Sequence, residues 1–217
     1  MEKKEWLTER LKGLGGSEVS AIIGLNPYRN NQELFLLKTG RMQDDDTKNI
    51  EAKEYGRKAE RPLIELFKLD YPEYDVTYSG DPENYQLAQS PDYPFIIGTV
   101  DGDLFHRERQ EPGILEVKTT FILQSMHKEK WKGQLPQNYY IQCLHYLLVK
   151  PQAKFVILKA QLKTKYGDDI RLDTRHYFFS RAEVQADLDF LLKKELHFWN
   201  ENILKDKMPD LILPPID

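Results

Sequence analysis

Two stretches decide how this chain folds: Phe95-Ile96-Ile97-Gly98-Thr99-Val100-Asp101-Gly102 and, shortly after, Ile114-Leu115-Glu116-Val117-Lys118. An aspartate ends the first apolar run, and a Glu-x-Lys sits inside the second. Residues two apart on a strand point to the same face. Glu116 and Lys118 therefore project together, and Leu115 and Val117 project to the other side. A turn centred near Arg109–Gln110 places Asp101 roughly opposite Lys118, which makes Asp101 and Glu116 diagonal neighbours on one face. Ile114 shares the parity of Glu116, and the flanking runs read as buried on both faces. Carboxylates and a lysine converging there are costly in a core that has no use for them. With a divalent cation they make a phosphodiester-cleaving site. The rival reading is the solvated polar face of an antiparallel sheet. Asp103 has the parity of Asp101 and is an alternative ligand, nearer the turn.

The chain has 217 residues, 40% hydrophobic and 12% aromatic, enough for a single domain with a sizeable core. It holds no apolar run long enough for a membrane span, and Met1-Glu2-Lys3-Lys4-Glu5 opens no signal peptide. Cys143 is the one cysteine, so no internal disulfide and no four-cysteine metal site is expected within one chain. A cytoplasmic protein is the simplest expectation. The net charge of −4 excludes a general basic coat for nucleic acid, but a local basic groove can sit on an acidic protein.

Outward from the two decisive stretches, Ser17 is expected to cap a short helix, Glu18 to Ile23, that stops at Gly24. Asn30 or Asn31 is expected to cap a second, ending at Lys38-Thr39-Gly40. Asp44-Asp45-Asp46 reads as a solvated loop. A helix follows from about Asn49 to Leu69, with a kink at Pro62. Strands are expected over 85–89, 95–106 and 113–119, a helix over 137–149, and a hairpin from Lys154–Leu162 to Ile170–Phe179. Ser180-Arg181-Ala182-Glu183 reads as a capping box opening the last helix, to about Leu204. The tail from Met208 reads as an extended arm. The sum is one α/β domain: a helical segment 1–45, a core 46–205 with a central mixed β-sheet flanked by helices, and an arm 206–217.

Further positions carry chemistry. Glu60 shares a helix face with Leu63, Ile64 and Phe67 and can complete the acidic pair. Lys118 cannot bind metal while protonated; it can hold the attacking water or neutralise charge on the phosphate, or form an ordinary ion pair. Gln142, on one face with Tyr139, Cys143 and Tyr146, can orient Lys118 and its water. His145 is read as structural rather than as a general base. Arg10, Ser17 and Arg29 surround a helix start and could bind a terminal phosphate, or be a cap with surface arginines.

Together these elements resemble the PD-(D/E)xK nuclease superfamily, and more closely the lambda-exonuclease/YqaJ-type viral recombinase family, over roughly Trp6 to Val149. The resemblance rests on Trp6-x3-Arg10-x6-Ser17-Glu18, on Gly24-Leu25-Asn26-Pro27-Tyr28 with Glu33-Leu34 and Lys38-Thr39-Gly40, and on Tyr55-Gly56-x3-Glu60. It continues through Asp101-Gly102, Glu116-Val117-Lys118 and Tyr139-x2-Gln142 with His145-Tyr146. One departure is Val100, where the superfamily often has proline. The resemblance implies a restriction-endonuclease-like core. It implies two Mg²⁺ ions, replaceable by Mn²⁺, held by Asp101, Glu116 and the Val117 carbonyl, with Glu60 at the second. Lys118 and Gln142 would serve the water, Arg10, Ser17 and Arg29 the 5′-phosphate, and Tyr139 the DNA. The implied activity is 5′→3′ exonuclease action on double-stranded DNA ends that leaves 3′ overhangs. The implied setting is a homotrimer of phage or prophage origin in a bacterial cell, working with a single-strand-annealing recombinase. An endonuclease or single-strand nuclease on the same core is the rival among enzymes, and a non-catalytic DNA-end-binding module the rival outside them.

Overall fold

The computed structural model describes residues 1–44, 50–80, 86–122, 129–167 and 169–213. In chain order the elements are α1 (Lys3–Leu11), β1 (Leu14–Gly15), a 3-10 turn (Val19–Ile23), α2 (Asn31–Lys38), α3 (Ile50–Asp70), β2 (Tyr74–Tyr78), β3 (Ala88–Gln89), β4 (Ile96–Gly98), β5 (Gly102–His106), β6 (Glu111–Ile122), α4 (Gln137–Val149), β7 (Phe155–Tyr166), β8 (Asp169–Ser180) and α5 (Gln185–His197), which runs into a π-helical end, Phe198–Ile203.

The main sheet has the order β2-β5-β6-β7-β8. Its neighbours are antiparallel except β6 and β7, which run parallel because α4 carries the chain back between them. A small sheet, β1-β4-β3, stands beside it. Strand parity divides the core. Ile114 and Ile122 of β6, with Val156, Leu158, Ala160 and Leu162 of β7, bury one face together with α4 and α5 residues such as Leu144, Leu147, Leu188 and Leu191. Leu115 and Val117, with Phe155 and Ile157, bury the other face against Leu63, Ile64 and Phe67 of α3. The middle of the sheet is thus covered on both sides, as the apolar runs suggest, and Glu116 lies inside it at 1% exposure.

Several local expectations are corrected. The run 95–106 is not one strand: it breaks after Gly98, and β4 and β5 belong to different sheets. The cause is Asp101, whose Oδ2 accepts the Val117 backbone N–H at 2.7 Å, so a side chain takes a ladder position. The turn is Arg107–Gln110, with Gln110 at φ 54, and β6 begins at Glu111. Gly102 pairs with Leu115 and His106 with Glu111, which puts Asp101 level with Glu116 rather than Lys118. This slip of two residues preserves parity, so every side chain keeps its expected face. Ser17 caps nothing: the 3-10 turn starts from Glu18 without a side-chain cap, and Ser17 Oγ accepts from Arg10 instead. Asn30 does cap α2, in a reciprocal box with Glu33. Ser180 and Glu183 bond each other as a box would, but the helix opens later, at Gln185. β2 was not foreseen, and the hairpin strands are longer than expected. The expected loop at Asp45–Asp46 and part of the 85–89 strand fall outside the described residues.

The arm folds back rather than trailing. The buried Asn31 side chain donates to the Asp210 carbonyl at 2.7 Å and accepts from Ile212 N at 2.9 Å, and Gln32 donates to the Pro209 carbonyl at 2.9 Å. Among the described residues no helix is long and apolar enough to cross a membrane.

Candidate active site

A cavity of about 510 Å³ opens where α3, the end of β4, β6 and the α1–β1 segment meet. Its lining includes Glu60, Asp101, Glu116, Lys118 and Gln142 together with Arg10 and Ser17, residues more than a hundred positions apart in sequence. The loop after β4 brings Asp101 to the cavity. Strand β6 carries Glu116 and Lys118 on the face shared with Ile114, and α3 extends its core stripe by one turn to present Glu60.

The acids outnumber their bases. Lys118 Nζ lies 2.5 Å from Glu116 Oε1, and Gln142 Nε2 donates to the same oxygen at 2.8 Å. Glu116 Oε2 and Glu60 Oε1 are buried without any hydrogen-bond partner. Burial, and after it the Asp101 charge, push the carboxyls of Glu60 and Glu116 up to about 8. Burial raises Asp101 too, against the pull of Lys118 and the Val117 N–H. Burial works against the Lys118 ammonium, but Glu116 and Asp101 outweigh it and raise its pKa. Lys118 therefore stays charged through neutral pH and is an electrostatic group, not a base. One ammonium faces three carboxyls, Glu116 buried and Asp101 and Glu60 half-buried.

The surroundings hold these groups in place. A Cβ on Gly80 would lie 2.0 Å from Glu60 Oε1, so a side chain at this position would displace that carboxylate. Tyr78, beside Glu60, donates its hydroxyl to the Gly80 carbonyl at 2.5 Å. Gln142 Nε2 also reaches the Tyr146 hydroxyl at 2.8 Å, which locks the amide that holds Glu116. Gln142 thus orients Glu116 directly and Lys118 only through it. Tyr139 lies outside the cavity lining; its ring sits 5.5 Å from the Lys118 ammonium.

At the other wall, Arg10 stacks over Trp6 at 4.6 Å and donates to Ser17 Oγ at 3.2 Å. The Glu18 carboxylate accepts from Gly15 N at 2.8 Å and pairs with the buried Lys38 ammonium, which in turn donates to the Arg10 carbonyl at 2.8 Å. That web anchors the backbone under Arg10. Arg29 is not brought into the cavity: its guanidinium pairs with Asp44 at 2.5 Å. Asp103 turns away to Lys150, also at 2.5 Å. His145 is buried between Glu195, at 2.9 Å, and the Ile97 carbonyl, at 2.8 Å.

The donor set suits a hard divalent cation: carboxylate oxygens, two of them buried and unbonded, with raised pKa values that an added positive charge would bring down. Among the described residues no three acidic, histidine or cysteine side chains form a closed cage beforehand. The Lys118 ammonium on Glu116 occupies part of that role.

Lys53 and Arg57 also line the cavity. They were missed because exposed cations on a helix look like ordinary solvated residues. Their helical spacing from Glu60 on α3 becomes meaningful only once the cavity beside it is seen.

A family model for the YqaJ-like viral recombinase domain matches residues 5–153. This chain belongs to that family. The uncharacterized protein YqaJ of Bacillus subtilis (strain 168) is 30% identical over 218 residues, which cover 97% of this chain and 60% of the relative. The chain thus spans about 60% of the length of that relative. The alkaline exonuclease LHK-Exo of Laribacter hongkongensis superposes with a TM-score of 0.63 at 16% identity, covering 94% of this chain and 95% of that one. Its complex with dAMP superposes with a TM-score of 0.61 at 15% identity over the same shares. The chain therefore shares the fold of that exonuclease, an α/β core with mixed sheets flanked by helices.

Proposed function

We propose that this chain is a Mg²⁺-dependent 5′→3′ exonuclease that degrades one strand of double-stranded DNA from its ends. The observation that carries this reading is the excess of buried carboxylate at the floor of a cavity that also contains Arg10 and Ser17. A polyanion does not enter over three acids unless a cation screens them. Membership of a viral recombinase family and the fold shared with an alkaline exonuclease support it. So does the dAMP complex of that exonuclease, since a nucleoside monophosphate is what such a reaction releases.

Asp101, Glu116 and the Val117 carbonyl would hold one ion, with Glu60 at a second. A bound divalent cation supplies Lewis-acid activation of water and stabilises charge on the phosphate. The rest is the work of side chains. Gln142 and Tyr146 fix the Glu116 carboxylate. Lys118, held as an ammonium, would place a positive charge beside the phosphoryl oxygens on which negative charge develops. Arg10 and Ser17 offer a guanidinium and a hydroxyl to a 5′-phosphate, which sets the next linkage over the acids. The single-domain organisation, the homotrimer and the annealing partner belong to the same proposal.

The test is digestion of linear duplex DNA with Mg²⁺, comparing 5′-phosphate with 5′-hydroxyl ends and including a closed circle. Mononucleotides from phosphorylated linear ends are expected. Cutting of the circle would move the chain to the endonuclease reading, and no cutting with Mg²⁺ or Mn²⁺ would leave a binding module.

A further inference from the structure

Helix α3 presents Ile50, Lys53, Glu54, Arg57 and Glu60 to the cavity. These positions recur at helical spacing, so they form one wall climbing from the acidic floor to the mouth. Arg57 lies one turn before Glu60, about 4.5 Å along the axis, and Lys53 about 10.5 Å. Arg57 is exposed and, among the described residues, has no hydrogen-bond or ion-pair partner. The acidic cluster accounts for Glu60 but not for a free guanidinium above it.

A strand with its terminal phosphate at Arg10 and Ser17 and its first linkage over the acids must place its second linkage beyond them. Arg57 lies one helical turn from Glu60 on the same wall of the cavity, beside the acids rather than remote from them, and guanidinium is well matched to phosphate oxygens. We propose that Arg57 binds the phosphate of the linkage immediately 3′ of the one that is cut. This rests on the nuclease reading and adds a subsite to it. Arg57 then holds the retained strand while Arg10 holds the nucleotide that leaves.

The experiment measures binding of 5′-phosphorylated duplex ends with Ca²⁺ replacing Mg²⁺ to suppress cleavage. One duplex is unmodified, a second carries a single neutral methylphosphonate at the second linkage of the 5′-phosphorylated strand, and a third is unmodified but ends in a 5′-hydroxyl. Wild-type protein is expected to bind the modified duplex about tenfold more weakly. Arg57→Ala is expected to bind the first two equally while keeping its preference for a 5′-phosphate, and Arg57→Lys to restore part of the difference. Arg10→Ala is expected to lose the 5′-phosphate preference and keep the methylphosphonate penalty. An Arg57→Ala protein that still shows the full penalty overturns the inference, as does a wild type that binds but shows none. A wild type that binds neither phosphorylated duplex end removes the nuclease reading, and the subsite with it.

Discussion

Helix α4 touches two buried ionic groups one turn apart, and they differ in charge balance. His145 meets a single acid, Glu195, and donates its other ring nitrogen to the Ile97 carbonyl. One base faces one acid, and the pair ties α4 to α5 and β4. Gln142 meets Glu116 within a set of three acids and one ammonium. Each group leaves a carboxylate oxygen unbonded, Glu195 Oε2 in the first, Glu116 Oε2 and Glu60 Oε1 in the second. What separates them is stoichiometry. The first balances one acid with one base, and the second is short of positive charge at a cavity open to a ligand.

The sharpest way to break the comparison is to remove one member from each group. Asp101→Ala or Lys118→Ala should cut the cleavage rate by about a thousandfold or more, with an unchanged circular-dichroism spectrum. His145→Ala should instead cost about 3–5 kcal/mol of stability in denaturant titrations, because it strands Glu195 and the Ile97 carbonyl. Near-normal turnover in the first pair, or near-normal stability in the second variant, would erase the distinction.

Glu116→Gln sharpens it further. It replaces one carboxyl of the overloaded set with a neutral amide and should abolish cleavage; in chelator above pH 8, where Glu116 would otherwise be charged, it should raise the melting temperature, by about 2–4 °C per kcal/mol gained for a chain of this size. The same substitution at Glu195 should lower it.

The pH dependence follows from the same imbalance. Folded pKa values of about 8 for Glu60 and Glu116, raised from 4.5, mean that the folded state holds their protons more tightly than the unfolded one. Their contribution to stability is therefore full below 4.5 and is lost as pH rises toward 8. Metal-free protein should melt at progressively lower temperature across that window, and Mg²⁺ should flatten the slope. A slope unchanged by Mg²⁺ would speak against a cation at the acids. The smallest effect belongs to Arg29. Its pair with Asp44 is exposed and outside the cavity, so Arg29→Ala should change stability by less than about 1 kcal/mol and leave the 5′-phosphate preference intact.

Much of this was legible in the sequence, for a physical reason. The faces of β6 follow from a period of two, which survives a register shift of two, so Glu116 and Lys118 were placed correctly although the turn was misplaced. Glu60 followed from the apolar stripe Leu63, Ile64 and Phe67. The parts that were not legible depend on partners far along the chain. The break between β4 and β5 depends on Asp101 taking a backbone N–H from Val117. The return of the arm depends on Asn31 bonding residues near the other terminus. Arg29 sat in a motif, but its local geometry turned it to Asp44. Arg57 had the right spacing, but a cation on an exposed helix face carries no signal until the cavity beside it is seen.

The account rests on the claim that the three acids are completed by a divalent cation. The most direct measurement is Mn²⁺ binding followed by electron paramagnetic resonance at neutral pH, in the absence of DNA, for wild type, Glu116→Gln and Arg29→Ala. Saturable binding by wild type and by Arg29→Ala, lost in Glu116→Gln, is the result expected. Equal binding by all three, or none by wild type, would contradict it.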